Sequence, residues 1–358
     1  MLLQSRTDAI SVVMPVYNAM PHLDGAVSSI LNQSRGDFEF VILDDASTDG
    51  STERLRHWAG EDSRIRLHVG KRNIGPAASS NFVVREATGS LIARMDADDI
   101  SHPERLERQL RVLTDRPDAG LVGTLCHVID DQGRTVRGPD PWRLRHSGWF
   151  APFPHGSIMF RRELFDGIGG YRDQCVYWED LDLFLRMASL SKVLTMSEPL
   201  YEHRQSGSST RIKSDPDRVE RAVDLEYRCL TRLDEGRDYE DLLAESTESR
   251  RLDPRIFQAR GSVVLWSGHR PRLLGRLLRR GKLQPNLRTL FALGWTTLGS
   301  VSPGALRLAL KGIAGGRNLA AQSEAKAPTV EWRLPRKTSF RLRGLAPEKI
   351  RDTPATAP

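Results

Sequence analysis

The sequence predicts an α/β fold: a mainly parallel sheet with helices flanking it on both faces. Three observations carry this. Short apolar runs of strand length recur at residues 10–15, 38–43, 65–69, 90–95 and 119–125. Segments with helically spaced apolar residues lie between them. The residues richest in chemistry come directly after the apolar runs, at the strand ends where open parallel sheets bind their ligands.

Each element has its own warrant. Ile10-Ser11-Val12-Val13-Met14-Pro15 reads as a buried strand closed by proline. Residues 22–34 follow with Leu23, Ala26, Val27, Ile30 and Leu31 on one helical face. Phe38-Glu39-Phe40-Val41-Ile42-Leu43 is a second strand, stopping at the acidic turn Asp44-Asp45-Ala46-Ser47-Thr48-Asp49-Gly50. Ser and Thr caps start a helix near Ser51. Ile65-Arg66-Leu67-His68-Val69 is a short strand and 76–87 a helix. Ser90-Leu91-Ile92-Ala93-Arg94-Met95 is the fourth strand, ending in Asp96-Ala97-Asp98-Asp99. Helix 103–115 leads to strand 119–125. Residues 130–156 are rich in proline and aromatics, 179–189 is helical, and 215–312 is mostly helical. Residues 314–358, rich in Ala, Pro, Gly and charge, are expected to be disordered.

Composition narrows the function classes. At 358 residues the chain exceeds one average domain. Its three cysteines form no C-x-x-C pair, which argues against a disulfide framework or zinc site and for a reducing compartment. The first residues lack a signal-peptide pattern. The most apolar long stretch, 289–306, is interrupted by Gly294, Gly299, Pro303 and Gly304, so no spanning helix is expected. Charge is lopsided: residues 1–210 carry 24 Lys+Arg against 29 Asp+Glu, and 211–358 carry 29 against 17. No acidic residue occurs from Pro254 to Ser323. Such a segment suits an anionic membrane surface or is simply a solvated basic face. Nucleic acid is not expected as a partner, because the run has little aromatic interleaving.

Three constellations point to chemistry. Alternating carboxylates Asp96 and Asp98 at a strand end suit a hard divalent cation, which expelling a nucleoside diphosphate would require. Asp44-Asp45 at another strand end suits a base N–H. Trp178-Glu179-Asp180 puts carboxylates beside an aromatic wall at a helix start, as a base for an alcohol would need. Each also reads as ordinary helix capping when taken alone. The shared placement at strand ends favours one site.

Taken in order, Pro15-Val16-Tyr17-Asn18, Leu43-Asp44-Asp45-Ala46-Ser47-Thr48-Asp49, Asn73-Ile74-Gly75, Met95-Asp96-Ala97-Asp98-Asp99 and Trp178-Glu179-Asp180 resemble the signatures of family-2 glycosyltransferases. The resemblance covers roughly residues 9–210 and implies a GT-A (Rossmann-like) fold, inverting sugar transfer and D-x-D metal binding. It implies a catalytic domain over 1–214; the helical pattern and charge beyond it suggest a basic helical extension over 215–313, and composition suggests the disordered tail 314–358. Pro15, Tyr17, Asn18, Asp44, Asp45, Arg72, Asn73 and Asp96 would border the nucleotide, with Asp45 at the base and Asp44 supporting it. Asp96 and Asp98 would hold Mn²⁺ or Mg²⁺, with Asp98 the direct ligand. Asp180 would be the catalytic base with Glu179 beside it, while Asp99, His155 and Trp178 are weaker candidates near acceptor or diphosphate. One departure stands out: where relatives carry Tyr-Arg-x-His, this chain has Tyr201-Glu202-His203-Arg204-Gln205, with Gln205 at the His position. His203 or Arg204 would then substitute as the cationic partner. Trp142, Trp149, Phe150 and Phe153 are candidate acceptor contacts.

The expected partners are a nucleotide-sugar donor, UDP-linked by preference, and a glycan or lipid-linked acceptor in cell-envelope polysaccharide synthesis. The expected place is the cytoplasm, or peripherally at the inner face of the plasma membrane. Two readings compete. A nucleotidyltransferase would carry a Gly-rich basic loop where Tyr17-Asn18-Ala19-Met20 stands. A non-catalytic glycan-binding scaffold would not need Asp45, Asp96, Asp98 and Asp180 all intact. A dinucleotide oxidoreductase lacks its G-x-G-x-x-G turn here.

Overall fold

The computed structural model describes residues 9–139, 153–205 and 329–332, and part of 222–244. The chain divides into two compact units, Met1–Ser206 with Cys229–Ala244 and Ala327–Pro358, and Gly207–Arg228 with Glu245–Lys326. The sheet and the candidate site belong to the first.

Alternation of strand and helix is observed as the sequence predicts. The strands are β1 (Ile10–Val16), β2 (Phe38–Asp44), β3 (Ile65–Val69), β4 (Leu91–Arg94), β5 (Ile100–Ser101), β6 (Ala119–Ile129), β7 (Thr135–Arg137), β8 (Met159–Arg161), β9 (Lys192–Arg204) and β10 (Thr329–Trp332). The helices are α1 (Leu23–Leu31), α2 (Ser51–Glu61), α3 (Pro76–Glu86), α4 (Arg105–Asp115), α5 (Arg162–Ile168), α6 (Glu179–Ala188) and α7 (Glu240–Ala244). A single 3₁₀ turn, His155–Ser157, precedes β8.

One sheet joins all the strands in the order β10-β9-β6-β8-β4-β1-β2-β3, with β5 paired to β9 and β7 to β6. β3, β2, β1 and β4 run parallel. β8 is antiparallel to both β4 and β6, while β6 and β9 are parallel to each other. The sheet is therefore mixed rather than mainly parallel: β1, β2, β3, β4, β6 and β9 run one way, and β5, β7, β8 and β10 run the other. Thr329–Trp332, within the stretch whose composition suggests disorder, pairs antiparallel with Val193–Met196 of β9.

Local sequence explains the elements. α1 buries Leu23, Ala26, Val27 and Ile30, the i, i+3, i+4, i+7 stripe of a helix lying on a core. Pro76 opens α3 at its first turn, where its missing N–H costs nothing. α5 ends at Gly169, whose φ of 79° closes the helix in the left-handed region. β1 and β2 are buried on both faces: the alternating neighbours Val12 and Val13, and Val41 and Ile42, lose all contact with water, or nearly so. Two boundaries depart from expectation. β6 runs on to Ile129 rather than ending at Leu125. Tyr201 to Arg204, expected beyond the last core strand, form the end of β9. β9 contains Pro199, which the strand accommodates where its pairing with β6 shifts register.

The basic stretch 255–317 and the aromatics Trp142, Trp149 and Phe150 lie outside the described residues. Among the described residues no helix is long and apolar enough to cross a membrane.

Candidate functional site

β1, β2 and β4 are neighbours and parallel, so the segments following Val16, Asp44 and Arg94 emerge at one edge of the sheet. The first two are laced together. The Asn18 N–H donates to Ser47 Oγ at 2.9 Å, and the Thr48 N–H returns a bond to Asn18 Oδ1 at 2.8 Å. Ala19 N–H reaches Ser51 Oγ at 3.1 Å, and Met20 N–H reaches Asp49 Oδ2 at 2.9 Å. Asn18 and Ala46 take positive φ values of 52° and 61° to make these turns. Pro15 sits within β1 opposite Leu43, and Tyr17 stands half out in solvent beyond the strand end.

Asp44 is fully buried, accepting from Thr52 Oγ1 and from the Ser47 N–H, so it holds the turn rather than facing a ligand. Asp45 accepts from the backbone N–H of Ile74 at 2.8 Å and of Gly75 at 3.1 Å, which pins the 73–75 loop against β2. Asp45 also lines a pocket of about 560 Å³ with Leu43, Leu67, Lys71, Arg72 and Phe82. Apolar walls with a carboxylate and two cations match a planar base joined to an anionic tail. Asn73 is exposed and does not line this pocket.

The acidic segment after β4 is braced by cations that sequence reasoning did not single out. Arg94 is buried; its Nη2 lies 3.1 Å from Asp96 Oδ1 and its Nη1 donates to Ser80 Oγ at 2.8 Å. A lone arginine inside the apolar run of β4 was the available signal, since buried arginines are almost always paired. Arg105, fully buried on α4, donates to the carbonyls of Arg94 at 3.0 Å and Gly156 at 3.1 Å. Burial pulls its guanidinium down to about 10. Tyr201, also fully buried, accepts the Asp96 N–H at 3.3 Å.

Burial alone would raise the Asp96 carboxyl, but Arg94, His155 and His203 hold it below the usual carboxylate range. Asp98 goes the other way, pushed up to about 7 by burial and by the carboxylates of Asp99 and Asp96. That crowding of hard oxygen donors is what a divalent cation relieves, so the residues fit one. Among the described residues no group of three His, Cys, Asp or Glu side chains is arranged to hold a metal ion. An ion at Asp96 and Asp98 would therefore take its other ligands from bound phosphate or water.

Asp99 is buried and accepts the Arg204 N–H at 2.7 Å, with His203 Nδ1 3.3 Å from its other oxygen. The two cationic candidates separate here. The Arg204 guanidinium is spent on the carbonyls of Asp98 at 2.7 Å and Asp130 at 2.6 Å. The His203 side chain remains 45% exposed. Burial lowers its pKa, but the hydrogen bond and charge of Asp99, with Asp96 and Asp98, raise it to about 9. His203 is thus cationic and accessible at neutral pH. Gln205 is exposed, its N–H bonded to Ile129 O.

The third segment reaches the same neighbourhood through Tyr171. Its hydroxyl lies 2.7 Å from His155 Nε2 and its ring lies beneath Arg94 at 5.9 Å. Burial raises the Tyr171 phenol, and the charges of Arg94, Asp96, Asp180 and Glu179 all act on it. Burial and Arg94 lower His155 to about 3, so it is a neutral ring. Glu179 and Asp180 occupy the first turn of α6, both half-buried, with the Leu181 N–H donating to Asp180 Oδ1 at 2.7 Å. Tyr177 takes a φ of 70° just before the helix. Trp178 is buried against Tyr239, ring centroids 6.0 Å apart, and so forms the inside of the wall. Phe153 is likewise buried, edge-on to Phe184 at 5.1 Å.

Comparison with known proteins identifies the family and the fold. Residues 11–172 match the sequence model described as Glycosyl transferase family 2. The chain is 35% identical over 235 residues to the putative glycosyltransferase EpsE of Bacillus subtilis, covering 63% of this chain and 82% of EpsE. It is 30% identical over 217 residues to the O-antigen biosynthesis glycosyltransferase WbnJ of Escherichia coli, covering 57% of this chain and 82% of WbnJ. Among solved structures, S. aureus TarS 1-349 in complex with UDP-GlcNAc shares the fold with a TM-score of 0.50 at 16% identity, over 61% of this chain and 65% of that one. The fold is thus GT-A, and the chain belongs to glycosyltransferase family 2.

Proposed function

We propose that the protein transfers a sugar, with inversion, from a nucleoside diphosphate donor to the hydroxyl of a glycan or lipid-linked acceptor in cell-envelope polysaccharide synthesis. A UDP-sugar is the donor this reading favours. The names of EpsE and WbnJ support the process. The observation that carries the chemistry is Tyr171, hydrogen-bonded to His155 and under Arg94, whose phenol lies within electrostatic reach of Asp96, Asp180 and Glu179 alike. That supports a reading in which the leaving-group end and the base end of a displacement share one neighbourhood.

In this reading the pocket around Asp45, Arg72 and Phe82 takes the nucleoside. Asp98, with Asp96, would hold Mn²⁺ or Mg²⁺, which when bound offsets the charge of the departing diphosphate. His203 adds a cation beside the acidic turn. Asp180 accepts the proton of the acceptor hydroxyl as its oxygen attacks the anomeric carbon and the nucleoside diphosphate leaves from the opposite face. His155, being neutral, donates or accepts a hydrogen bond without adding charge. The basic stretch between Pro254 and Ser323 would hold the enzyme at the cytoplasmic face of an anionic membrane.

The test is Mn²⁺-dependent hydrolysis across UDP-, GDP- and dTDP-sugars, with Asp98→Ala alongside. Turnover that needs the ion and is lost in the variant supports the reading. No turnover and no metal-dependent nucleotide binding in the intact protein would leave a scaffold instead.

A further inference from the structure

α6 carries both proposed acceptor-side carboxylates at its first turn, and that turn is moored by a segment about 60 residues further along the chain, 239–240. The mooring point is Asp182, fully buried two residues beyond Asp180. Its Oδ2 accepts from Arg186 Nε at 2.9 Å and Nη2 at 2.5 Å, and Arg186 also donates to the carbonyls of Ile168 at 3.0 Å and Gly170 at 2.7 Å. Its Oδ1 accepts the Tyr239 hydroxyl at 2.7 Å, with Arg172 Nη1 3.5 Å away. Arg172 in turn donates from Nη2 to Glu240 Oε1 at 2.5 Å. The Tyr239 ring, itself without solvent exposure, packs on Trp178, the residue immediately before Glu179. The Asp182 N–H bonds back to Trp178 O at 3.0 Å, which closes the first turn.

One side of this arrangement is explained by folding alone: the Arg186 pair ties α6 to the end of α5 and the glycines beyond it. The Tyr239 side is not needed for that, because Asp182 already has its charge partner. What Tyr239 adds is a second fixed direction. Held from Oδ2 by its own helix and from Oδ1 by a remote segment, Asp182 cannot turn without rotating the start of α6, and Trp178 is gripped by the same ring. A proton acceptor must sit within a fraction of an ångström of its productive place, so its support matters as much as its identity.

We propose that Tyr239, aided by Glu240, is a positioning residue that acts through Asp182 and Trp178 to set where the first turn of α6 presents Asp180. The proposal rests on the reading of Asp180 as the base. The segment 239–240 is thereby part of the machinery of transfer, although it is remote in sequence from α6 and touches no reacting atom.

The experiment uses the full chain, Mn²⁺ and whichever UDP-, GDP- or dTDP-sugar it hydrolyses fastest. Tyr239→Phe keeps the ring and removes only the hydroxyl. Expected is a fall in kcat of about tenfold, with donor KM within about twofold and a displaced pH limb of kcat, measured well below the melting temperature. Glu240→Gln, at a half-exposed site, weakens the same mooring with little demand on folding; kcat should fall about threefold at unchanged KM. It carries the test should Tyr239→Phe not fold. Unchanged kcat in the variants that fold, or kcat and KM moving together with melting temperature, overturns the proposal. Asp180→Asn separates the two readings. If it is inactive while the mooring variants behave as wild type, only the positioning role fails. If it retains turnover, the base assignment fails and takes the positioning role with it.

Discussion

Gly156→Ala is the change in which the most structure hangs on a single methyl group. The backbone there is not in the left-handed region, so alanine is conformationally acceptable and any effect is steric. A Cβ at this position would lie 1.9 Å from Tyr201 Oη, 2.8 Å from its Cζ and 2.9 Å from Asp96 Oδ2. Tyr201 is fully buried and takes the Asp96 N–H, so it cannot swing aside into solvent. Restoring ordinary contact requires moving the ring by about 1.5 Å, into a core of normal packing density. Overpacking of this kind costs about 1–3 kcal/mol, and loss of the bond to Asp96 adds about 1 kcal/mol. Denaturant unfolding of the variant should therefore show a loss of about 2–4 kcal/mol. Because the displaced groups border Asp96, the thermal stabilisation given by UDP with Mn²⁺ should fall more than folding does. A variant as stable as wild type that still gains full stabilisation from UDP and Mn²⁺ would refute the packing argument.

Other outcomes follow from the same contacts. Glu39 accepts from Ser11 Oγ, the Thr88 N–H and hydroxyl, and Arg66 Nη1. Burial opposes its charge, but these donors lower it from 4.5 to about 2. Its contribution, about 3 kcal/mol, is therefore complete above pH 4.5 and lost as pH falls towards 2. The stability difference between wild type and Glu39→Gln should shrink by roughly half between pH 5 and pH 3; a difference constant over that range contradicts the assignment. His203→Gln should raise the donor KM about fivefold with little change in melting temperature, since the ring is half-exposed and cationic. Arg204→Gln should instead lower stability by about 1–3 kcal/mol, because it frees the carbonyls of Asp98 and Asp130. Swapped outcomes in binding and melting assays would reverse the roles given to the two residues.

The strand-ending motifs were readable because a parallel sheet forces their placement: once 10–15, 38–43 and 90–95 are strands of one sheet, Tyr17, Asp45 and Asp96 have to meet at its edge. Sequence periodicity alone could not show what holds them there. Arg94 and Arg105 look like ordinary charged residues of a strand and a helix until the fold buries them, and Tyr201 looks like a loop residue until β9 extends past Pro199. Asp44 and Asp45, equal in sequence, differ because strand alternation sends one inward to Thr52 and leaves the other at the pocket wall. Trp178 read as an aromatic wall beside the carboxylates, yet its ring is buried against Tyr239, a partner 61 positions away that no local pattern announces.

The supports of the acidic turn have a further consequence. Arg94, Tyr201 and Arg204 hold the backbone and side chains of Asp96 to Asp99 using bonds made wholly within the protein. In the proposed reaction the cradle would thus hold its shape without help from a seated cation or phosphate. Little chain ordering would then be charged against each arrival of donor, and release of nucleotide would not require the site to be rebuilt.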